Sequence, residues 1–276
     1  MGIEPQTISR RNFIKFAGKT AAVSVAFLSG CAQTSMQPAG KSGGDTARAI
    51  DIHHHYIPPE LIDEVKRNGQ ALGVEYVPPK DPKDNPFQIR FPRGNRLNPD
   101  PRMTEINNRL AVMTKGNIGV ATVEVHTACV GYELDGSRGE AWSKLYNEAI
   151  MDLVKRYPDR FVGIATVPLQ DPPRAARVLE QAIRDFKMSG VTLASNVVGK
   201  YYDSKDFDPF WAKAQELDVL MIMHPEWVAG GDKMGGYGLR TVCGNPADTT
   251  LSVGYMIYSG AILLPLFIVT TVLFFR

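Results

Sequence analysis

Cysteine is scarce in this chain of 276 residues: Cys31, Cys129 and Cys243 are all there is, too few to staple a fold together. Charge of one sign is lacking as well. Lys and Arg number 31 against 29 Asp and Glu, and the formal +2 leaves no electrostatic footprint for nucleic acid. No Gly-Lys-Ser/Thr ending follows the glycine-rich run at residues 230–236, which excludes a phosphate cradle there and leaves a mobile loop as the reading. No internal repeat occurs. Histidine is limited to five residues, and none follows His224. Long apolar runs are missing too. Residues 261–275 form an apolar tail short of the roughly 20 residues a membrane helix needs. Counted from Tyr255 it approaches that length, so a membrane segment stays open beside a strand. Pro265 and the β-branched run Ile268, Val269, Thr270, Thr271, Val272 fit the strand better. What remains is the composition of an ordinary globular protein, 44% hydrophobic and 22% charged.

The N-terminus sets itself apart. Ser9, Arg10, Arg11, Asn12, Phe13, Ile14 and Lys15 precede a weakly apolar run that ends Leu28, Ser29, Gly30, Cys31. The first piece resembles a twin-arginine export signal and the second a lipobox. Residues 1–30 are therefore expected to be a signal peptide, with Cys31 as the lipidated first residue and 31–48 as a flexible tether. That predicts a periplasmic or cell-envelope protein held to the membrane by an N-terminal lipid anchor. The leader carries four basic side chains against one acidic, so its loss turns +2 into about −1. Cys129 and Cys243 then remain in an oxidising compartment, where pairing is open.

From Ala49 onward, short β-branched runs alternate with segments of helical period. Strands are expected at residues 49–55, 119–126, 161–167, 190–194 and 219–224. Trp142, Leu145, Tyr146, Ala149, Ile150, Leu153 and Val154 recur at three and four, as do Val178, Leu179, Ala182, Ile183 and Phe186, and both sets predict amphipathic helices. Asp208 before Pro209 and Asn245 before Pro246 predict N-caps. The alternation predicts an α/β fold with a parallel sheet, as a (β/α) barrel or a doubly wound sheet. The proline-rich connection 56–102 is too long for a simple loop and is expected to help cover a site.

Three histidines stand together in Ile52, His53, His54, His55. Strand alternation places Asp51, His53 and His55 on one side and His54 on the other. Two imidazoles one pleat apart can converge on one cation near the strand's C-terminal end. His224 closes another apolar strand and is either a third ligand or a satisfied core residue. His126 shares its strand face with Glu124 and is read as structural.

The run Ile50-Asp51-Ile52-His53-His54-His55, the pair His224-Pro225, and Gly244-Asn245-Pro246-Ala247-Asp248-Thr249-Thr250 ahead of Met256-Ile257-Tyr258-Ser259-Gly260 resemble the amidohydrolase-related family that includes aminocarboxymuconate semialdehyde decarboxylase. The resemblance covers residues 49–260. It implies a (β/α)8 TIM barrel of the metal-dependent hydrolase type, with one divalent metal ion, commonly zinc. It implies metal ligands at His53, His55 and His224 and a small-molecule substrate. The implied reaction is that of a carboxy-lyase or hydrolase on a small carboxylated or cyclic compound. Family features beyond strand five, an acid/base histidine in a His-Gly-Gly motif and an aspartate ligand on strand eight, have no counterpart here. The expectation is therefore a barrel of about six strands, incomplete at the C-terminus, with no catalytic residue assigned. Exposed sheet edges would make it poorly stable or homo-oligomeric, with little turnover. The alternative is an inactive, lipid-anchored metal-binding protein.

Overall fold

The computed structural model describes residues 48–79, 81, 87–261 and the strand 267–269. The expected signal peptide, Cys31 and most of the tether lie outside the described residues, and so does most of the apolar tail.

Among the described residues six parallel staves lie side by side. The first is split into β1 (Ala49–Asp51) and β2 (His55–Tyr56), both paired with β6 (Ile118–Val125). Next to β6 comes β7 (Phe161–Gly163), whose stave is continued by the bridge from Ala165 to Val191 of β8 (Gly190–Ala194). Then follow β9 (Leu220–His224) and β10 (Phe267–Val269), the latter beside Met221–Met223 of β9. The tail thus contributes a sixth strand. Successive parallel staves joined by helices are the layout of a (β/α) barrel wall, and the doubly wound alternative is set aside. Among the described residues β1 and β10 each pair along one edge only. Ile50 and Ile52 of the first stave are exposed, at 67% and 55%.

Helices fill the outer layer. α1 (Pro59–Leu72), α2 (Pro101–Thr104) and α3 (Ile106–Lys115) precede β6, and between α1 and α2 lies an antiparallel sheet of β3 (Glu75–Val77), β4 (Gln88–Arg90) and β5 (Arg96–Leu97). The connection expected to be a covering loop therefore has its own secondary structure. Downstream run α4 (Gly136–Arg156), α5 (Pro172–Arg184), α6 (Asp208–Glu216) and α7 (Asn245–Ser259).

α4 shows why the spacing mattered. Its Trp142, Tyr146, Ile150 and Leu153 are buried, and its polar groups reach across to the staves. Trp142 Nε1 donates to Cys129 O (2.6 Å), Tyr146 Oη donates to Tyr56 O (2.6 Å), and Asn147 exchanges two hydrogen bonds with Thr166 (2.9 and 2.8 Å). One helix thus fixes the C-terminal ends of three staves. Gly190 permits another close approach: a Cβ there would sit 2.7 Å from Leu220 O.

Several local expectations need correction. The first strand is interrupted at residues 52–54, so strict alternation fails and Asp51 accepts from His54 Nδ1 (3.0 Å) and His53 N (3.2 Å). Asp208 and Asn245 are the first helical residues and not caps, because Phe207 and Gly244 before them are already helical in backbone angle. A single π turn, Arg240–Gly244, leads into α7. The glycine-rich run contains a 3₁₀ turn at Gly231–Lys233. Cys129 is buried and Cys243 exposed, and both are free. No helix among the described residues is long and apolar enough to cross a membrane.

Candidate metal centre

The site forms where the first, second, fourth and fifth staves end. His53 lies within the break in the first stave, His55 opens β2 just after it, and His224 is the last residue of β9. One nitrogen from each of the three lies within 4.8 Å of those of the others. Ring centroids are 4.7 Å apart for His53 and His55, 5.2 Å for His53 and His224, and 5.0 Å for His55 and His224. The structure therefore brings the three together, across 169 to 171 residues of sequence. His54 stays out of the cluster, held by Asp51.

Hydrogen bonds select the free nitrogens. His53 Nδ1 is 2.5 Å from Glu124 Oε1, and His224 Nδ1 is 3.1 Å from Pro225 O. Each acceptor takes the Nδ1 proton, which leaves Nε2 of both rings unprotonated in the neutral form. His55 Nε2 is buried with no partner. A lone buried ring nitrogen costs free energy unless something fills it, and here it faces two other imidazoles. Three imidazoles whose nitrogens converge are a donor set that suits a divalent transition metal, so the residues fit the ion.

Electrostatics point the same way. Burial holds the His55 pKa well below the ordinary histidine value, with the neighbouring imidazoles adding to it, and burial also lowers that of His224. Both are neutral at pH 7, the state that ligates. Glu124, on β6, is fully buried and also accepts from Thr192 Oγ1 of β8. It fixes the orientation of the His53 ring, a contact across 71 residues that the sequence did not show.

His126 sits against the cluster, its ring 4.7 Å from that of His55. Its Nδ1 accepts from Ala128 N at 3.1 Å, so the neutral ring carries its proton on Nε2. Burial pushes its pKa down to about 4. The structural reading of His126 is therefore incomplete: it caps a turn and also places an N–H donor beside the three rings.

A second buried carboxylate braces the frame. Asp248 of α7 accepts from Ser195 Oγ, Asn196 Nδ2 (3.0 Å), Tyr201 Oη (2.6 Å) and Ala229 N (3.1 Å). It ties the end of the fourth stave to the segment following His224. In that segment Trp227 adopts a left-handed φ of 50°, stacks on Tyr132 at 5.8 Å and donates from Nε1 to Glu133 (3.4 Å). Glu133 in turn accepts from the backbone N–H of Arg93 and of Asn95 (3.2 Å), which fastens the β4–β5 turn to the rim.

Residues 50–262 match the amidohydrolase family. The chain belongs to that family. Among its amidohydrolase relatives is 2-amino-3-carboxymuconate-6-semialdehyde decarboxylase of Dictyostelium discoideum, 26% identical over 76% of this chain and 58% of the relative. Another is the gamma-resorcylate decarboxylase of a Polaromonas species, 29% identical over 45% of this chain and 40% of that one. The chain thus spans less than two thirds of the length of these curated relatives. Among solved structures, 2,6-dihydroxybenzoate decarboxylase from Rhizobium superposes with a TM-score of 0.61 at 22% identity, over 80% of this chain and 64% of that chain. A Polaromonas dihydroxybenzoic acid decarboxylase, solved with manganese and 2-nitroresorcinol, gives 0.58 at 22% identity, over 80% and 64%. These likenesses establish the amidohydrolase barrel fold.

Proposed function

We propose that this amidohydrolase is a metal-dependent carboxy-lyase for a small aromatic carboxylate, with one divalent ion held by Nε2 of His53, His55 and His224. The observation that carries the reading is the unpartnered, buried His55 Nε2 facing two imidazoles whose Nδ1 atoms are already committed. The relatives supply the reaction class, since those named above are decarboxylases. A bound divalent ion supplies a Lewis acid that polarises a substrate oxygen. Zinc suits an all-imidazole set, and manganese is the ion in the Polaromonas structure.

The chain's own groups have separable tasks. Glu124 holds the His53 ring in one tautomer and orientation. His126 keeps its proton on Nε2 and offers a neutral N–H to a substrate oxygen or carboxyl group beside the cluster. Tyr132 and Trp227 stack on one another, and Glu133 fixes the Trp227 ring by accepting from its Nε1. In the reaction the C–C bond to the carboxylate breaks, its electron pair stays on the ring carbon, that carbon gains a proton, and carbon dioxide leaves.

The test is release of carbon dioxide from 2,6-dihydroxybenzoate and related acids by the metal-loaded protein, with His224→Ala as control. Release that His224→Ala abolishes supports the reading. Stoichiometric metal with no release from any acid in the panel contradicts it and favours the non-catalytic alternative. We also propose twin-arginine export with lipidation at Cys31, on the motifs at Arg10, Arg11 and residues 28–31.

A further inference from the structure

We propose that the outward face of α7, with the turn leading into it, is a two-fold interface for a second copy of this chain. Seven of the ten large apolar side chains exposed among the described residues fall between residues 237 and 258. Leu251, Tyr255, Ile257 and Tyr258 are on α7 itself. Tyr237, Leu239 and Val242 precede it, the last on the π turn that runs straight into the helix. Together they expose on the order of 800 Å² of side chain, more than the usual patch on a monomer and about one partner's share of a standard interface.

Charge is missing from the same stretch. Between Met234 and Ala261 only Arg240 and Asp248 carry it. Asp248 is buried, and Arg240 lies 3.6 Å from Glu226 Oε1. A two-fold axis sets a surface against its own image, so a charge near the axis meets a like charge; this face has none to oppose. A helix that lies on an anionic bilayer borders its apolar face with Lys and Arg, and α7 has neither. A second copy therefore fits the face better than a lipid surface does.

Shape supplies the register. Ala247, Leu251, Tyr255 and Tyr258 are spaced by four, four and three and are all exposed, so they form one stripe along α7, while Asp248, Thr249, Ser252 and Met256 are buried on another face. When two such helices cross antiparallel about an axis at Leu251, that residue meets its own copy and each Tyr255 falls over the small Ala247 of the other. Gly254 beside the stripe leaves room for close approach, since a Cβ there would meet nothing within 4 Å. Tyr255 is already stacked on Tyr201, ring centres 4.7 Å apart, and so has little rotamer freedom left to lose on contact. Tyr237 stands fully exposed at a left-handed φ of 55°, a cost that contact with a second copy offsets. The copy thus packs on the outside of the helix whose inner face carries the Asp248 brace.

The experiment is sedimentation velocity of the full chain carrying Cys31→Ser, alone and with Leu251→Glu, Tyr258→Glu or, as a control at an exposed apolar position on α3, Val112→Glu. The interface predicts a dimer at about 10 µM chain, within the micromolar-or-tighter range of standard interfaces. Leu251→Glu sets two carboxylates against each other at the axis and should weaken the dimer at least about 100-fold. Tyr258→Glu should act in the same direction, and Val112→Glu should leave the dimer unchanged. A second readout locates the axis: with Cys243→Ser also in place, a short bismaleimide should join Leu251→Cys to its own copy and should not join Val112→Cys. A chain still monomeric at about 100 µM, a dimer that Leu251→Glu leaves intact, or Leu251→Cys that fails to cross-link would overturn the proposal. So would a monomer that binds phosphatidylglycerol vesicles and loses that binding in Leu251→Glu, since the face would then belong to a lipid surface. If Leu251→Glu does not fold, Tyr258→Glu and the cross-link still decide.

Discussion

At the scale of single residues, the chemistry depends on which nitrogen of each histidine is free, and that is decided by groups outside the triad. Glu124→Gln removes the charge that fixes the His53 tautomer, and the expected result is a loss of about 10- to 100-fold in metal affinity with the fold retained. Competition with a chelator of known affinity measures it. His126 gives a pH prediction. Its folded pKa of about 4 lies below the ordinary 6.5, so between those values the unfolded chain binds more protons than the folded one. Stability of the metal-free protein must then fall as pH drops through that window, by about 3 kcal/mol from this residue alone. Urea midpoints from pH 7 to pH 4 should show the loss, and His126→Gln should shrink it. His53 and His55 were legible in the sequence through their two-residue spacing, although the strand expected to carry both is broken between residues 52 and 54. Glu124 and the His126 tautomer were not, since the first matters through a partner 71 residues away and the second through a backbone amide.

At the scale of elements, the amphipathic spacings of α4 and α5 sufficed to find those helices, because burial of one face dominates their placement. The break at residues 52–54 escaped sequence reading. Period-two alternation carries no signal for a strand that yields its ladder so that His54 can turn to Asp51. The π turn before α7 was equally hidden, and Asp248 in the first turn of that helix was named in the sequence only as part of the motif from Gly244 to Thr250. In the fold Asp248 is a fully buried carboxylate with four donors. Replacing it with Asn sets an amide N–H₂ against those donors, and a loss of about 3 kcal/mol is expected. Chemical denaturation at pH 7 checks that, and the metal-binding stoichiometry of the folded fraction should be unchanged.

For the whole molecule, the alternation of strands and helices was enough to predict a parallel sheet, the family resemblance chose the barrel over the doubly wound form, and the described residues show six staves of it. Which ring atoms converge could not be read that way, because only the folded chain brings His53 and His55 beside His224 of β9. The leader makes its own prediction at this scale. Changing Arg10 and Arg11 together to Lys should leave precursor in the cytoplasm, and Cys31→Ser should abolish incorporation of labelled lipid. Fractionation with a mass measurement of the mature chain would show both. The central claim is the three-histidine centre, and the measurement that tests it most directly is metal stoichiometry and affinity across four single variants. His53→Ala, His55→Ala and His224→Ala should each weaken binding of one ion per chain by at least about 100-fold, as expected for loss of a direct ligand. His54→Ala should bind as the parent does. Full metal retention by any of the first three, or its loss in His54→Ala alone, would contradict the account.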